Sequence, residues 1–484
     1  MNLEKLFKNK KFTKSNISIK GLSEDSRKIK KDYIFFLKNT NSESEKYLIE
    51  AVNNGASLII YNKTTSIEIK KYSSKCILYG VSCVASKMAE ISKKYYDFNQ
   101  KQMKIYGVTG TNGKSSVANY IAQLKNINNE KCATIGTVGA GIYPNLKKQS
   151  LTTPGVIEIT KKIASFEKKK IKNLSLEVSS HGIAQKRIAG IKFDSVIFTN
   201  LSRDHLDYHK SMKNYFHTKL SLFLNYRNKK KIICIDDIYG RKLKKSLSKK
   251  KLVSTVSIKD NDADFYASKI KFSESGTEFI LNSKYGSKNI KTKLYGNFTV
   301  SNIITSIAAI ANNKKDYNVY TKNIIKLKPV DGRMNRYYKK GFPYVFIDFA
   351  HSPDSIKKVM QSIKLHYPDK KIITIFGCGG ERDTKKRKIM GGIVSKYSSD
   401  IILTNDNPRN EDPKIIVDDI AKGIHTSCSF KIIFDRKKAI KKCVNKNNKE
   451  KIVLILGKGH ENFQVFSNKR IFFSDKREVQ KILK

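Results

Sequence analysis

The chain has 484 residues and a mass of 55.2 kDa, so at about 100 to 200 residues per domain it should hold about three domains. Hydrophobic residues make up 39% and charged residues 29%, as in globular proteins, and no apolar run approaches the about 18 residues that a membrane-spanning helix needs. Lysine and arginine exceed aspartate and glutamate by 54 (96 − 42), which raises the hypothesis of nucleic-acid binding, but the lysines are spread along the chain as in proteins of AT-rich genes.

We therefore expect no nucleic-acid partner and no membrane insertion. The basic N-terminal segment lacks the apolar core of a secretory signal, which favours a cytoplasmic protein. The seven cysteines are scattered and include no CxxC pair, so neither a disulfide framework nor a zinc site is indicated.

Residues 1–98 are predicted to form a small N-terminal α/β domain. Short β-rich runs lie at 33–37, 57–61 and 75–80, and a helical stretch lies around Tyr47 to Asn54. Such alternation of short strands with a helix is typical of a compact α/β layer.

Residues 99–329 are predicted to form a central domain resembling a P-loop ATPase. A buried-type strand runs into a Gly-rich loop and then an amphipathic helix, in the segment KIYGVTGTNGKSSVANYIAQL. Further apolar runs at 174–178, 195–200 and 232–236 predict a largely parallel sheet.

Residues 330–484 show the clearest alternation of strands and helices. The predicted strands are 344–349, 371–376, 400–405, 431–434 and 451–456. Repeated strand and helix predict a Rossmann-like doubly wound sheet, whose ligands lie beyond the carboxyl ends of the strands. The segments at those ends are AHSPD, GCGGERD, DNPRNED and GKGHE, so the polar chemistry collects where a site is expected.

The strongest single motif is Gly-Thr-Asn-Gly-Lys-Ser at 110–115. Glycines let backbone N–H groups face phosphate oxygens, Lys114 neutralises phosphate charge, and the Ser115 hydroxyl is suited to Mg²⁺. The strict pattern has a glycine where this chain has Val108, so the match is a variant; the alternative is a plain turn between strand and helix.

Two further segments favour metal and carboxylate chemistry, Glu177 to Gly182 and Asn200 to His209. Both follow predicted strands, so their polar residues can meet at the sheet edge that carries the phosphate loop. Mg²⁺ prefers oxygen ligands and takes few from protein, which makes Ser115 and Glu177 candidates. A histidine beside aspartates, such as His205, is by itself more often structural.

Taken together, the motifs resemble those of the Mur ligases, the ATP-dependent amide-forming enzymes of peptidoglycan precursor synthesis. The matching segments are TGTNGKSS, LTTPG, EVSSHG, TNLSRDHLDYH, YGNFTVSN, DGRMNRY and DFAHSPDS. Within the family, Asp25-Ser26-Arg27, GCGGERD and above all Asp406-Asn407-Pro408-Arg409 resemble the branch that adds meso-diaminopimelate. Lysine-adding relatives carry a different sequence at that last position.

The resemblance implies that the D-glutamate γ-carboxylate of UDP-MurNAc-L-Ala-D-Glu attacks ATP, and that diaminopimelate then displaces phosphate from the acyl phosphate. ATP and Mg²⁺ are the implied cofactors, the partners are small molecules, and a monomer is expected. The alternatives are a lysine-adding Mur ligase or a folylpolyglutamate synthase-like ligase and, from another class, a nucleic-acid-associated P-loop ATPase.

The resemblance also implies three sets of contacts. For ATP they are Gly110, Thr111, Asn112, Gly113, Lys114, Ser115, Ser116, Asn302, Arg333, Asp348 and His351. For the UDP-MurNAc-dipeptide they are Ser26, Thr152, Thr153, Ser179, Gln185 and Arg187. For diaminopimelate they are Arg382, Asp406, Asn407, Pro408, Arg409, Gly457 and Glu461. Without the resemblance, the segment Asp406 to Arg409 would be interpreted as a plain loop.

Catalytic roles follow in the same way. The resemblance assigns them to Lys114, Lys219, His205 and Arg333, and it assigns metal contacts to Ser115, Glu177, His205 and carbamylated Lys219. Carbamylation converts a cation into a carboxylate-like ligand, whereas spacing alone would leave Lys219 as a surface lysine. The phosphate loop and the segment from Asp406 lie in separate predicted sheets, so the site is expected to be shared between the second and third domains.

Overall fold

The computed structural model describes residues 1–7, 17–39, 41–100, 102–248, 252–467 and 469–484. They form two compact units. The first unit is Met1–Gly107, Lys131–Asp194 and Ser221–Asn228, and the second is Val108–Glu130, Ser195–Leu220 and Lys229–Lys484. The division into domains 1–98, 99–329 and 330–484 stays a prediction. Among the described residues, no helix has the length and apolar character to cross a membrane.

The secondary structure follows the predicted alternation closely. The first elements are α1 (Leu3–Phe7), β1 (Gly21–Ser23), β2 (Tyr33–Leu37), α2 (Glu45–Asn53), β3 (Ala56–Asn62), β4 (Ile77–Val81) and α3 (Val84–Tyr96). Next come β5 (Lys104–Thr109), α4 (Lys114–Ile127), β6 (Cys132–Ile135), β7 (Ala140–Ile142), α5 (Val156–Lys168), β8 (Asn173–Glu177), α6 (Ser180–Ala184), β9 (Phe193–Phe198), α7 (Leu206–His209), α8 (Met212–Asn225), β10 (Asn228–Cys234), α9 (Ile238–Ser246), β11 (Val253–Ser257), β12 (Phe265–Ser273), β13 (Gly276–Ser283), β14 (Lys288–Thr292), α10 (Asn297–Ile310) and α11 (Lys314–Lys322). The last are β15 (Asn335–Tyr337), β16 (Tyr344–Asp348), α12 (Pro353–His366), β17 (Ile372–Phe376), α13 (Lys386–Tyr397), β18 (Asp400–Leu403), α14 (Pro413–Ala421), β19 (Ser429–Ile432), α15 (Arg436–Cys443), β20 (Ile452–Leu456), β21 (Phe463–Phe466), β22 (Lys469–Phe472) and α16 (Asp475–Ile482).

In the first unit, β1 to β4 form a four-stranded parallel sheet in sequential order. Its strands are apolar on both faces because both faces are covered. Ile34 and Phe36 pack into one core cluster with residues of α1 and α3, while Phe35 and Leu37 pack into the other with residues of α2. The predicted α/β layer is confirmed.

In the second unit, β10 and β11 pair in parallel, as do β11 and β12, but β12, β13 and β14 form an antiparallel meander. The predicted parallel pairing is thus present in β10, β11 and β12, and it continues into an antiparallel edge that the apolar runs did not reveal. The reason is burial on one face only, since half-buried and exposed residues alternate along β12 from Ser268 to Ser273.

The third region is a doubly wound sheet, as predicted. Its six strands have the order β15-β16-β20-β17-β18-β19, parallel except for β15. Residues of α12, α13 and α14 pack on one face and residues of α15 and α16 on the other. The strand predicted at 431–434 instead occupies Ser429–Ile432, because it pairs in register with β18 and the chain then turns into α15 at Asp435.

Candidate active site

The phosphate loop joins β5 to α4 in the second unit. Gly113 immediately precedes α4 with φ of 84°, a left-handed conformation that glycine adopts without steric cost. A Cβ on Gly113 would lie 2.6 Å from Oδ1 of Asn302, so the close approach of α10 also requires glycine there. Asn302 thereby lies against the loop, and its contact with ATP stays a prediction.

The other end of the loop is held by the segment after β9. A side chain on Gly110 would collide with Thr199 Oγ1. The backbone N–H of Asn112 donates to Asn200 Oδ1 at 2.9 Å, and Ser202 accepts from Thr111 Oγ1 through its carbonyl at 3.2 Å. These contacts fix the loop backbone before any ligand binds.

Two lysines meet at this loop. Lys114 Nζ donates to the carbonyls of Gly110 at 2.9 Å and Thr111 at 2.8 Å. Lys219 Nζ, on α8, also donates to Gly110 O at 2.9 Å, and it lies 4.7 Å from the ring centroid of Tyr215. Burial, together with repulsion from Lys114, lowers the pKa of Lys219 well below its ordinary value.

A carboxylate lies among positive and titratable groups beside the loop. Burial acts to raise the pKa of Asp204, but its neighbours outweigh burial and the pKa is lowered. These neighbours are His205, His351, Lys114 and Lys386. Asp204 is therefore ionised at neutral pH, and the structure brings the predicted His205 and His351 into the electrostatic reach of one carboxylate.

Arg333 lies on a tight loop that Asp348 holds in place. Asp348 is buried, and its Oδ2 accepts from the N–H of Met334 at 2.8 Å while its Oδ1 accepts from that of Ala350 at 2.7 Å. Burial raises the pKa of Asp348. The guanidinium of Arg333 stacks 4.5 Å from the ring centroid of Phe349. Asp348 thus orients the arginine loop through backbone bonds.

The phosphate loop is also tied to the third region. Asn112 Nδ2 donates to Asp354 Oδ2 at 3.0 Å, and Lys358 Nζ contacts the same oxygen at 2.8 Å. Asp354 is the second residue of α12, whose start is set by the Ser352 capping box and Pro353. This contact brings two of the predicted segments together, the phosphate loop and DFAHSPDS.

The predicted metal ligands fall into both units. Glu177 belongs to the first unit, where its Oε1 and Oε2 accept from the N–H and hydroxyl of Thr137 at 2.8 and 3.1 Å. Ser115, His205 and Lys219 belong to the second. The described ranges hold no group of three or more His, Cys, Asp and Glu side chains arranged for a metal ion. The hydroxyl of Ser115 and the carboxylate of Asp204 are oxygen donors of the kind that suits Mg²⁺ with few protein ligands.

A second set of predicted residues converges in the first unit. Thr153 is fully buried, and its Oγ1 donates to the carbonyl of Glu177 at 2.8 Å and accepts from the N–H of Ser179 at 2.9 Å. Arg187 Nη1 donates to Thr153 O at 2.8 Å, and its Nε donates to Gln185 Oε1 at 2.9 Å. Thr153 therefore bonds directly to Glu177, Ser179 and Arg187, and Arg187 in turn bonds to Gln185.

Two more predicted residues border this set. The hydroxyls of Thr152 and Thr137 are 3.0 Å apart. A side chain on Gly155 would collide with Glu24 Oε1, so the turn that carries Ser26 approaches the LTTPG segment. Ser26 itself is buried and donates to Glu50 Oε2 at 2.5 Å.

The segment from Asp406 to Arg409 follows β18 in the second unit. Asp406 and Asn407 are buried, and a side chain on Gly457 would collide with Asp406 Oδ2. Asn407 Nδ2 donates to Glu461 Oε2 at 3.0 Å. Burial raises the pKa of Asp406, against the opposing charge of Lys458. Four predicted residues thus form one acidic cluster at the carboxyl ends of β18 and β20.

Two arginines flank the loop after β17. A Cβ on Gly379 would lie 3.1 Å from Arg409 Nη1 and 4.0 Å from Arg382 Cγ. Arg409 has φ of 56° and donates from Nη1 to Gly380 O at 2.5 Å, and the backbone of Pro408 approaches Gly380 closely. Arg382 is exposed. The pair provides the forked donors that carboxylates prefer.

Comparison with known proteins decides the family. The model of the Mur ligase middle domain matches residues 108–310, and that of the Mur ligase glutamate ligase domain matches residues 332–459. The chain belongs to the Mur ligase family. The resemblance deduced from the motifs is therefore confirmed.

Similar Mur ligases share nearly the full length. The UDP-N-acetylmuramoyl-L-alanyl-D-glutamate--2,6-diaminopimelate ligase of Wigglesworthia glossinidia brevipalpis is 39% identical over 481 residues, which covers 97% of this chain and 96% of that one. The ligase of the same name from Buchnera aphidicola subsp. Baizongia pistaciae is 36% identical over 480 residues, covering 96% and 94%. A solved structure of a ligase of this name, 30% identical, has a TM-score of 0.69 and covers 100% of this chain and 98% of that chain.

Some residues of this Mur ligase that border the predicted site were missed by the sequence analysis. Lys458 is fully buried between Asn407 and Glu461. Gln464, on β21, donates to the carbonyls of Asn405 and Asp406 at 3.1 Å each. The only available signal was the position of Lys458 in GKGHE after a strand, and a lysine carries little information in a chain so rich in lysine.

Proposed function

We propose that this Mur ligase joins an amino group of meso-diaminopimelate to the γ-carboxylate of D-glutamate in UDP-N-acetylmuramoyl-L-alanyl-D-glutamate, and cleaves ATP to ADP and phosphate. The observation that carries the proposal is the pairing of opposite charges after β17, β18 and β20. Asp406 and Glu461 offer carboxylates to an ammonium group, while Arg409 offers a guanidinium to a carboxylate. The second amino-acid centre of diaminopimelate carries an ammonium group and a carboxylate, so it needs both kinds of partner.

In the first step, a γ-carboxylate oxygen attacks the γ-phosphorus of ATP, the bond to the ADP oxygen breaks, and an acyl phosphate forms. Charge spreads over the phosphoryl oxygens, so catalysis rests on electrostatic stabilisation rather than on a protein nucleophile. Lys114 at the start of α4 is suited to this role, and Arg333 supplies a second cation. Mg²⁺ bound with the nucleotide would neutralise further phosphate charge, with Ser115 as an oxygen donor.

In the second step, the diaminopimelate nitrogen attacks the acyl carbon, phosphate leaves, and the nitrogen loses a proton. Water must be kept from the acyl phosphate, because hydrolysis would waste it. The contact between Asn112 and Asp354 supports a closed arrangement of phosphate loop and α12 within the second unit.

Lys219 is the proposed site of carbamylation. Because its pKa is lowered, a larger fraction of the Lys219 amine is neutral at a given pH than in an ordinary lysine. A neutral amine adds to CO₂ with loss of one proton to give a carbamate. The carbamate would place a negative charge beside Lys114, which removes the repulsion between two cations. His205 and Glu177 remain proposed metal contacts.

For the nucleotide sugar, we assign the cluster of Thr152, Thr153, Ser179, Gln185 and Arg187 in the first unit, with Ser26 at its border. The substrates are then small molecules. A cytoplasmic location, a monomeric state and the lack of a nucleic-acid partner stay predictions from the sequence.

The test is release of phosphate from ATP with UDP-N-acetylmuramoyl-L-alanyl-D-glutamate and, in separate reactions, meso-diaminopimelate, L-lysine or no amino acid. We expect release with diaminopimelate alone. Preference for L-lysine would overturn the assignment of the segment 406–409 to the diaminopimelate site. No phosphate release in any of the three reactions would contradict the proposed ligase activity.

A further inference from the structure

Lys458 is a fully buried lysine inside the acidic cluster. Its Nζ donates to Asn407 Oδ1 at 3.1 Å and to Glu461 Oε2 at 2.9 Å, and the side chain has no solvent exposure. Asn407 Nδ2 donates to the same Glu461 oxygen at 3.0 Å. Lysine, asparagine and glutamate thus close a three-membered hydrogen-bonded ring.

The ring fixes the orientation of the Asn407 amide. Its Oδ1 accepts from Lys458 Nζ and from the backbone N–H of Val465 at 3.1 Å. An amide rotated by 180° would direct its NH₂ group at these two donors and its oxygen at the Glu461 carboxylate, so all three bonds would be lost. Lys458 therefore decides how two predicted substrate contacts are presented.

A second buried ion pair completes the charge balance. Arg436 and Asp475 are both fully buried, with Nε–Oδ1 at 2.7 Å and Nη2–Oδ2 at 2.8 Å, and both act electrostatically on Asp406. Asp406, Glu461 and Asp475 give three negative charges, and Lys458 and Arg436 give two positive charges. When all are ionised the cluster carries a net charge of −1 (2 − 3), which one ligand ammonium neutralises.

We infer that Lys458 is a positioning and specificity-determining residue of the amino-acid site, which orients Asn407 and Glu461 and limits the cluster to one net negative charge. The inference rests on the proposed diaminopimelate site. A cluster with one net negative charge suits one ammonium group, and Arg409 nearby suits one carboxylate. The second amino-acid centre of diaminopimelate carries both groups. A bare ammonium such as that of L-lysine leaves the guanidinium without its partner.

The test uses Lys458→Met, which keeps the length of the side chain but removes charge and donors. We expect the KM for meso-diaminopimelate to rise about 10- to 100-fold, as for loss of hydrogen bonds to a charged group, with kcat changed much less. The ratio of kcat/KM for diaminopimelate to that for L-lysine should fall about tenfold or more, since the cluster then carries an extra negative charge. The KM values for ATP and for UDP-N-acetylmuramoyl-L-alanyl-D-glutamate should stay within about twofold.

Lys458→Gln separates the two roles, because glutamine keeps a donor without the charge. Lys458→Gln should show a smaller rise in the KM for diaminopimelate than Lys458→Met, but the same loss of discrimination against L-lysine. If Lys458→Met is unfolded at the assay temperature, Lys458→Gln takes its place in every comparison. The matched control is Lys125→Met, another buried lysine of the second unit, which contacts Glu130 at 2.9 Å and Tyr320 at 2.6 Å. It should lower Tm without changing the KM for diaminopimelate.

Unchanged KM and discrimination in both Lys458 variants would overturn the inference, as would an equal rise in KM for all three substrates. A wild-type enzyme that does not use diaminopimelate would instead contradict the proposed function itself.

Discussion

Lys114 and Lys219 donate to the same backbone oxygen, that of Gly110, each at 2.9 Å. Two ammonium groups on one acceptor repel each other, and the buried one is the one whose charge is disfavoured. The phosphate loop therefore combines the ammonium group of Lys114, which we propose to act on phosphate, with a buried Lys219 amine that is readily neutral. The chemistry expected of the two lysines differs for this reason.

Lys114→Met should lower kcat by at least about 100-fold, because a cation aimed at the developing phosphoryl charge is lost. Phosphate release with all substrates present measures it. Lys104→Met, an exposed lysine at the start of β5, is the control and should keep normal turnover. Normal turnover in Lys114→Met would remove the phosphate loop from the reaction.

Lys219 should carry a carbamate at neutral pH. Because its pKa is lowered, the neutral amine persists at pH values where an ordinary lysine, with a pKa of about 10.4, is protonated. Lowering the pH through the pKa of Lys219 should therefore remove the carbamate. ¹³C NMR with labelled bicarbonate should show one carbamate signal that is absent in Lys219→Met, and that variant should lose activity because it cannot form the carbamate. A wild-type spectrum without the signal would reject carbamylation.

Gly113→Ala should disturb the loop more than left-handed strain alone explains. Gly113 and Gly341 have nearly equal φ values of 84° and 83°, but a Cβ meets Asn302 Oδ1 at 2.6 Å in the first case and nothing within 4 Å in the second. Gly341→Ala should cost about 1 to 2 kcal/mol of unfolding free energy from strain, and Gly113→Ala should cost more and raise the KM for ATP. Urea unfolding of both variants measures the difference in unfolding free energy. Equal losses of unfolding free energy would mean that Asn302 moves away from the added Cβ without a measurable effect on stability.

Arg409→Ala should raise the KM for meso-diaminopimelate by about two orders of magnitude, because a half-buried guanidinium that pairs with the substrate carboxylate is removed. Arg409→Lys should recover little, since an ammonium group lacks the forked geometry of the guanidinium. Lys414→Ala, an exposed cation five residues later, is the control for a general change in charge. An unchanged KM would place Arg409 outside the amino-acid site.

Asp354→Ala should weaken ATP use modestly. It removes the bond from Asn112, and a typical hydrogen bond contributes about 0.5 to 1.5 kcal/mol, so the KM for ATP should rise about 2- to 10-fold. Lys358→Ala removes only the partly exposed ion pair with Asp354 and should have little effect. An equal change in the KM for ATP in the two variants would show that the contact between Asn112 and Asp354 does not contribute to ATP use.

Local patterns sufficed for much of the fold and for the family. The phosphate loop was recognisable because glycines, lysine and serine act through backbone conformation and helix start, which are local properties. The doubly wound sheet followed from repeated apolar runs, and β2, β16 and β20 lie within one residue of the predicted bounds. The segment from Asp406 to Arg409 was informative because of its resemblance, whereas its residues alone would have indicated a loop.

What the tertiary structure decided concerns pairs far apart in the chain. Lys458 meets Asn407 across 51 positions, Arg436 meets Asp475 across 39, and Lys219 reaches Gly110 across 109. No composition or periodicity marks these residues, because their roles depend on burial and on the charges that surround them after folding. By composition a lysine in this chain is an ordinary surface residue, and burial together with neighbouring charges sets Lys219 and Lys458 apart.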